Sequence, residues 1–156
     1  MAAREAFQGM WRIIVCIIGF FTMGAAVPAE AAGWRFDGRQ GALSFDEGDF
    51  RPSLRCVGSR RIAILVPGNG ARFDPERSYT VSLSVDGLAF ILSTAPAFGS
   101  GARTDFMAVA PMTAIEPLLA ALAKGREVEV AGPTGRWRLP LSGSAAGVSR
   151  LRQACA

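Results

Sequence analysis

SYTVSLSVDGLAFILS, residues 78–93, decides the fold of this chain. Tyr79, Val81, Leu83 and Val85 fall on one face, and Ser78, Thr80, Ser82 and Ser84 on the other. That strict period of two suits an extended strand with one apolar and one solvated side. Asp86-Gly87 follows. A two-residue hairpin turn of type I′ needs positive φ at both central positions, and Asp-Gly meets that need. Leu88–Ser93 is then the returning strand, so the stretch predicts an antiparallel hairpin.

The same signals extend in both directions. Upstream, Gly41–Phe45 predicts a short first strand, Asp46–Asp49 a turn, and Pro52–Val57 a strand carrying Cys56. Arg61–Val66 places Ile62, Ile64 and Val66 on one face and ends at the turn residues Pro67-Gly-Asn-Gly70. Downstream, Ala95–Arg103 reads as a Pro/Gly/Ser loop and Thr104–Ala110 as a strand. Thr113-Ala-Ile-Glu116 matches a capping box, with Ile115, Leu118, Leu119 and Leu122 sharing one helical face. Pro117 offers a second start for that helix, as its first residue. Arg126–Ala131 and Arg136–Leu141 alternate around a Gly132–Gly135 turn, which directs Trp137, Leu139 and Leu141 toward the core. Ser142 or Ser144 is placed to cap a last helix, on which Val148, Leu151 and Cys155 align. About seven short strands joined by turns, with one helix near 113–124 and another near 144–155, predict a mainly β domain. Its architecture is an antiparallel β-sandwich or an open barrel.

The N-terminal segment has a different composition. Arg4 and Arg12 precede an uncharged, mostly apolar run from Ile13 to Val27, and Ala29-Glu-Ala31 supplies small residues at a cleavage site. This is the pattern of an export signal over 1–31, leaving a single β-rich domain over 32–156. The alternative is an uncleaved membrane anchor, but the run falls short of the about 20 apolar residues a bilayer core requires, so cleavage is expected, with no stable transmembrane segment after it. Cys16 leaves with the signal. Cys56 and Cys155 remain, and an even count in an oxidising compartment predicts one disulfide between them.

Composition narrows the chemistry. The chain carries 17 Lys and Arg against 13 Asp and Glu, a net charge of +4. The cations are scattered, with Arg60-Arg61 the one adjacent pair, so there is no nucleic-acid footprint. A mild positive charge does suit an anionic envelope polymer or lipid. The absence of histidine removes Ser-His and Cys-His nucleophile activation and His-ligated zinc. Lys124, the only lysine, sits at a predicted helix terminus. No cofactor or metal motif is present. Asp46, Glu47 and Asp49 form the densest acidic cluster. It reads either as a solvated turn or as a carboxylate pair for glycan hydrolysis, the latter requiring carboxyls about 5–10 Å apart across a cleft. Ser142-Gly-Ser144 lacks the context of a nucleophile elbow. Pro67–Gly70 and Gly99-Ser-Gly101 lack that of a phosphate loop. For a binding face, Arg126, Arg136 and Arg138 form a positive patch if the last two strands pair, and Trp34 near the new N-terminus is an exposed aromatic candidate. The competing arrangement is cross-strand pairing of those arginines with Glu127 or Glu129.

The C-terminal third has a cadence of its own: Leu118-Leu119, Leu122, Gly125, Val128, Val130, Gly135, Leu139-Pro-Leu141-Ser-Gly143, Leu151 and Cys155. It resembles the end of invasion-associated locus B-like exported proteobacterial proteins. Leu54-Arg-Cys56 and Val85-Asp-Gly87 are similar to the pattern of type VI secretion accessory proteins, in which an early cysteine after a strand matches a terminal one. These resemblances imply a periplasmic or envelope-associated β-domain without catalysis, and neither brings catalytic residues. The expected function is therefore a non-enzymatic interaction or accessory module. Its partner would be an envelope protein or an anionic polymer.

Overall fold

The computed structural model describes residues 33–46, 48–98 and 103–156; residues 1–31, where the sequence predicts an export signal, Glu47 and the Gly99-Ser-Gly101 stretch lie outside the described residues. Among the described residues, nine strands and two helices follow one another as β1 (Trp34–Asp37), β2 (Ala42–Phe45), β3 (Ser53–Cys56), β4 (Arg61–Val66), β5 (Tyr79–Val85), β6 (Leu88–Phe98), β7 (Thr104–Pro111), α1 (Met112–Lys124), β8 (Glu127–Gly132), β9 (Gly135–Pro140) and α2 (Ser144–Ala154). The strands form one antiparallel sheet in the order β1-β2-β3-β4-β7-β6-β5-β8-β9, which does not close into a barrel. The mainly β class with two short helices is thus the one the sequence predicts.

The 78–93 stretch forms the expected hairpin. Asp86 and Gly87 both have positive φ, 46° and 92°, and Val85 faces Leu88 across the turn. β6 is longer than the alternation suggests. Leu88–Thr94 pairs with β5, and Ala95–Phe98 pairs with β7. The Ala95–Arg103 loop is therefore corrected: its first part is strand. Proline in a strand normally marks an edge or a break because it cannot donate to a neighbour. Pro96 lies past the last β5 partner, Tyr79↔Thr94, so the donor it lacks is not required there. Buried Thr94 marks the changeover, its hydroxyl donating to Tyr79 O at 2.8 Å.

Period-two burial organises the core. Leu43, Leu54, Ile62, Ile64, Phe106, Val81, Leu83, Val128 and Val130 are each at most 2% exposed. They join Ile115, Leu118, Leu119 and Leu122 of α1 and Val148 and Leu151 of α2 in one cluster. At about 25 cal/mol per Å² of apolar surface, each such side chain contributes about 1.5–3 kcal/mol on burial. α2 approaches the sheet closely: a Cβ on Gly147 would run into Leu43 Cδ1. The Cys56–Cys155 disulfide, Cα–Cα 5.5 Å, ties the end of β3 to the end of α2.

Several local expectations are corrected. The capping box at Thr113–Glu116 does not form. β7 runs directly into α1, with Pro111 at the cap position and Met112 N–H donating to Arg60 O at 2.8 Å, so Thr113 is already inside the helix. Glu116 pairs instead with Arg152 of α2. Pro117 lies within α1 and does not start it. Neither Ser142 nor Ser144 caps α2. Gly143 holds that position at φ 78°, and the buried Ser144 hydroxyl lies 2.7 Å from Leu122 O and 2.6 Å from Leu141 O, satisfying a helix-end carbonyl of α1. β1 is a strand the sequence reading does not predict.

Candidate interaction surface

Trp34 is not an exposed aromatic. It is 4% exposed, meets Phe45 edge to face at 5.9 Å, and donates its indole N–H to Pro140 O at 3.1 Å. Its backbone N–H also donates to Ser142 O at 2.8 Å. Trp34 therefore joins the first strand to the chain just after the last one. A Cβ at Gly143 would lie 2.5 Å from Trp34 O, which explains glycine at that seam. Trp137 is half-buried and stacks on Phe50 with ring centroids 4.0 Å apart and planes 6° apart.

β8 and β9 do pair, as the arginine patch requires, with Glu129↔Arg138 and Ala131↔Arg136 in register. The pairing brings the cations onto acids. Glu129 Oε1 lies 3.2 Å from Arg136 and Oε2 lies 3.1 Å from Arg138. Arg126 approaches Asp86 at 4.0 Å. The Asp86 carboxylate also accepts from the backbone N–H of Arg126 at 3.1 Å and of Glu127 at 3.3 Å. Asp86 thus makes the hairpin turn and holds the entry to β8 as well, a role its turn chemistry does not disclose. Ser84, Asp86, Gly87, Glu127, Glu129 and Arg138 surround an open groove of about 310 Å³ with a predominantly acidic rim.

Asp46 is shared by Arg35 and Arg51, each at 3.8 Å, with its side chain 44% exposed. Asp49 is exposed and contributes its backbone carbonyl to Arg103 at 3.4 Å. These are features of a solvated ion-pair cluster, worth about 0–1 kcal/mol per pair.

The large apolar side chains exposed among the described residues are Leu88 at 60%, Ile91 at 68% and Val109 at 39%. Ile91 and Val109 lie on the two strands that part where β6 leaves β7, whereas Leu88 flanks the hairpin turn on the other face of β6. Sequence reading puts Leu88 and Ile91 on the returning strand and Val109 on another. What it lacks is the register that brings Ser93 and Val109 to the same opening. Among the described residues, no helix is long and apolar enough to cross a membrane. No protein-family model, curated protein or solved structure matches the chain.

Proposed function

We propose that this chain is an exported, disulfide-locked interaction module of the periplasm or cell envelope, acting by contact and not by catalysis. The observation that carries the reading is the Cys56–Cys155 bond, which joins an early strand to the last helix across 99 residues. Such bonds persist in oxidising compartments and are rare where thiols are kept reduced. The 1–31 segment and the resemblance to exported proteobacterial proteins support the same reading. Asp46 offers little to the alternative of glycan hydrolysis, since two arginines already share its carboxylate. The test is intact mass of the product secreted from a Gram-negative host. The expected mass lacks residues 1–31 and is two hydrogens below the reduced value. A product retaining those residues, or holding two titratable thiols, overturns the proposal.

A second reading, binding of an anionic envelope polymer or lipid, draws on a different group of cations. Arg55 and Arg61 lie on the outer sheet face at diagonal register positions, and Arg60 adjoins Arg61. All three are exposed, and none forms an ion pair among the described residues. This reading predicts affinity for lipopolysaccharide that falls steeply with salt. A flat salt response removes it.

A further inference from the structure

We infer that the split between β6 and β7 is a strand-addition site for an extended, uncharged segment of a partner protein that ends in acidic residues. The inference rests on the interaction-module reading and names the surface and the kind of partner.

The geometry follows from hydrogen-bond parity. In the β5–β6 hairpin the pair flanking the two-residue turn, Val85 and Leu88, exchanges both backbone bonds, and every second pair repeats this. Leu88, Phe90, Leu92 and Thr94 therefore direct their N–H and C=O groups to β5. Ala89, Ile91 and Ser93 direct theirs to the opposite side. Independent contacts agree with this parity: Asp86 N–H turns to Glu127 O on β8, and Val57 N–H to Arg61 O on the far side of β4. Pairing of β6 with β7 begins only at Ala95↔Met107. Ala89, Ile91 and Ser93 accordingly have no strand partner among the described residues. Across the split, Val109 of β7 presents its own N–H and C=O past the last β6 partner.

The side chains suit a strand. Leu88, Phe90 and Leu92 stand on the core side of β6, the last two half-buried, and Ile91 stands on the outside with Val109 on the facing rim. No residue from Leu88 to Phe98, nor from Phe106 to Met112, is charged. Exposed edges are ordinarily defended by charge, by proline or by a covering element. Here Pro96 lies beyond the opening, within the part already paired to β7, and Pro111 stands on the opposite rim, so the β6 edge itself carries no proline.

The occupant follows from size and charge. The open edge runs from Ala89 to Ser93, about 17 Å of strand. One strand width over that length falls well short of the about 800 Å² per partner that a stable protein interface needs, which disfavours a second folded copy. A lone extended segment draws its affinity from main-chain bonds and needs no wide footprint. At the wide mouth, exposed Arg61 pairs in register with Pro111 and Arg60 O receives Met112 N–H. Both arginines lack ion-pair partners among the described residues. On the β6 side of that mouth, Asp86 is occupied by the N–H groups of Arg126 and Glu127. A segment running antiparallel to β6 leaves at this mouth, so its acidic residues belong at its C-terminal end.

The test uses the oxidised exported chain and a labelled peptide of alternating threonine and valine ending in two aspartates. Fluorescence anisotropy should show saturable binding, and amide exchange at Ala89, Ile91 and Ser93 should slow on peptide addition. Ser93→Pro removes an outward N–H without touching β5 pairing, and should weaken binding about tenfold. N-methylation of alternate peptide amides should weaken it likewise, which keeps the test valid if the variant fails to fold. Arg61→Gln, or two lysines in place of the aspartates, should cost a smaller, salt-sensitive factor. Absence of saturation to about 1 mM overturns the inference, as does binding indifferent to both Ser93→Pro and N-methylation. A concentration-dependent dimer abolished by Ile91→Lys also overturns it, since the edge would then belong to a second copy. None of these failures touches mass or compartment, on which the interaction-module reading is judged separately.

Discussion

The two outermost strands of the sheet and the inner half-strand of β6 meet the same hazard in opposite ways. β1 and β9 are true edges, and both are defended. β1 is four residues long, carries Arg35 and Asp37, and is bound at its start to Pro140 and Ser142 through Trp34. β9 carries Arg136 and Arg138, both held on Glu129. The open stretch of β6 sits in the middle of the strand order, has no charge, and exposes Ile91. The difference teaches that position in a sheet does not determine exposure of its backbone. A strand that pairs with one neighbour along one half and another along the other half leaves an edge in the interior of the order. The defences at β1 and β9 are stability devices; their absence at β6 makes that surface available.

Four variants break or sharpen this contrast. Trp34→Ala opens the seam between the first strand and the end of the last, and should cost about 3–5 kcal/mol by denaturant unfolding. Replacing Cys56 and Cys155 together with serine releases α2 from β3. It should cost about 2–5 kcal/mol, read from the same midpoints against the oxidised parent. Glu129→Gln frees Arg136 and Arg138 at the β9 edge. Its cost should not exceed about 1 kcal/mol, because the arginines are largely solvated. Ile91→Lys should change stability by no more than about 0.5 kcal/mol, since the side chain is already in water. That same substitution should nonetheless abolish binding of the threonine–valine peptide. A large stability loss from Ile91→Lys would mean that the half-edge is covered in the folded chain, and the contrast would fail.

Much of this architecture is legible in the residues because one face of each longer strand is buried. β4, β5, β7, β8 and β9 announce themselves through alternation, and the Asp86-Gly87 turn fixes one register outright. The helical faces of α1 and α2 are equally plain, and so is the cysteine pair. What escapes the sequence is whatever depends on a distant partner. β1 acquires its strand character from β2 and from the chain around Ser142. Ser144 looks like a cap but reaches Leu122 O. Trp34 looks like a surface aromatic until Pro140 supplies an acceptor for its indole. The candidate surface is harder still to read. Leu88 and Ile91 are visible as apolar residues of an ordinary return strand. Only the changeover at Thr94, where β6 exchanges one neighbour for the other, shows that part of this strand has a vacant side.

The sulfur bridge has a consequence in time. Ribosomes deliver a chain from its N-terminus at about 5–20 residues per second. Cys155 follows Cys56 by 99 positions, so the first thiol is made roughly 5–20 s before its mate. Throughout that interval it has no native partner. Closure of the loop is therefore a signature of a finished polypeptide, and a chain that has lost residues 1–31 but stalls before its last helix would betray itself by one reactive thiol.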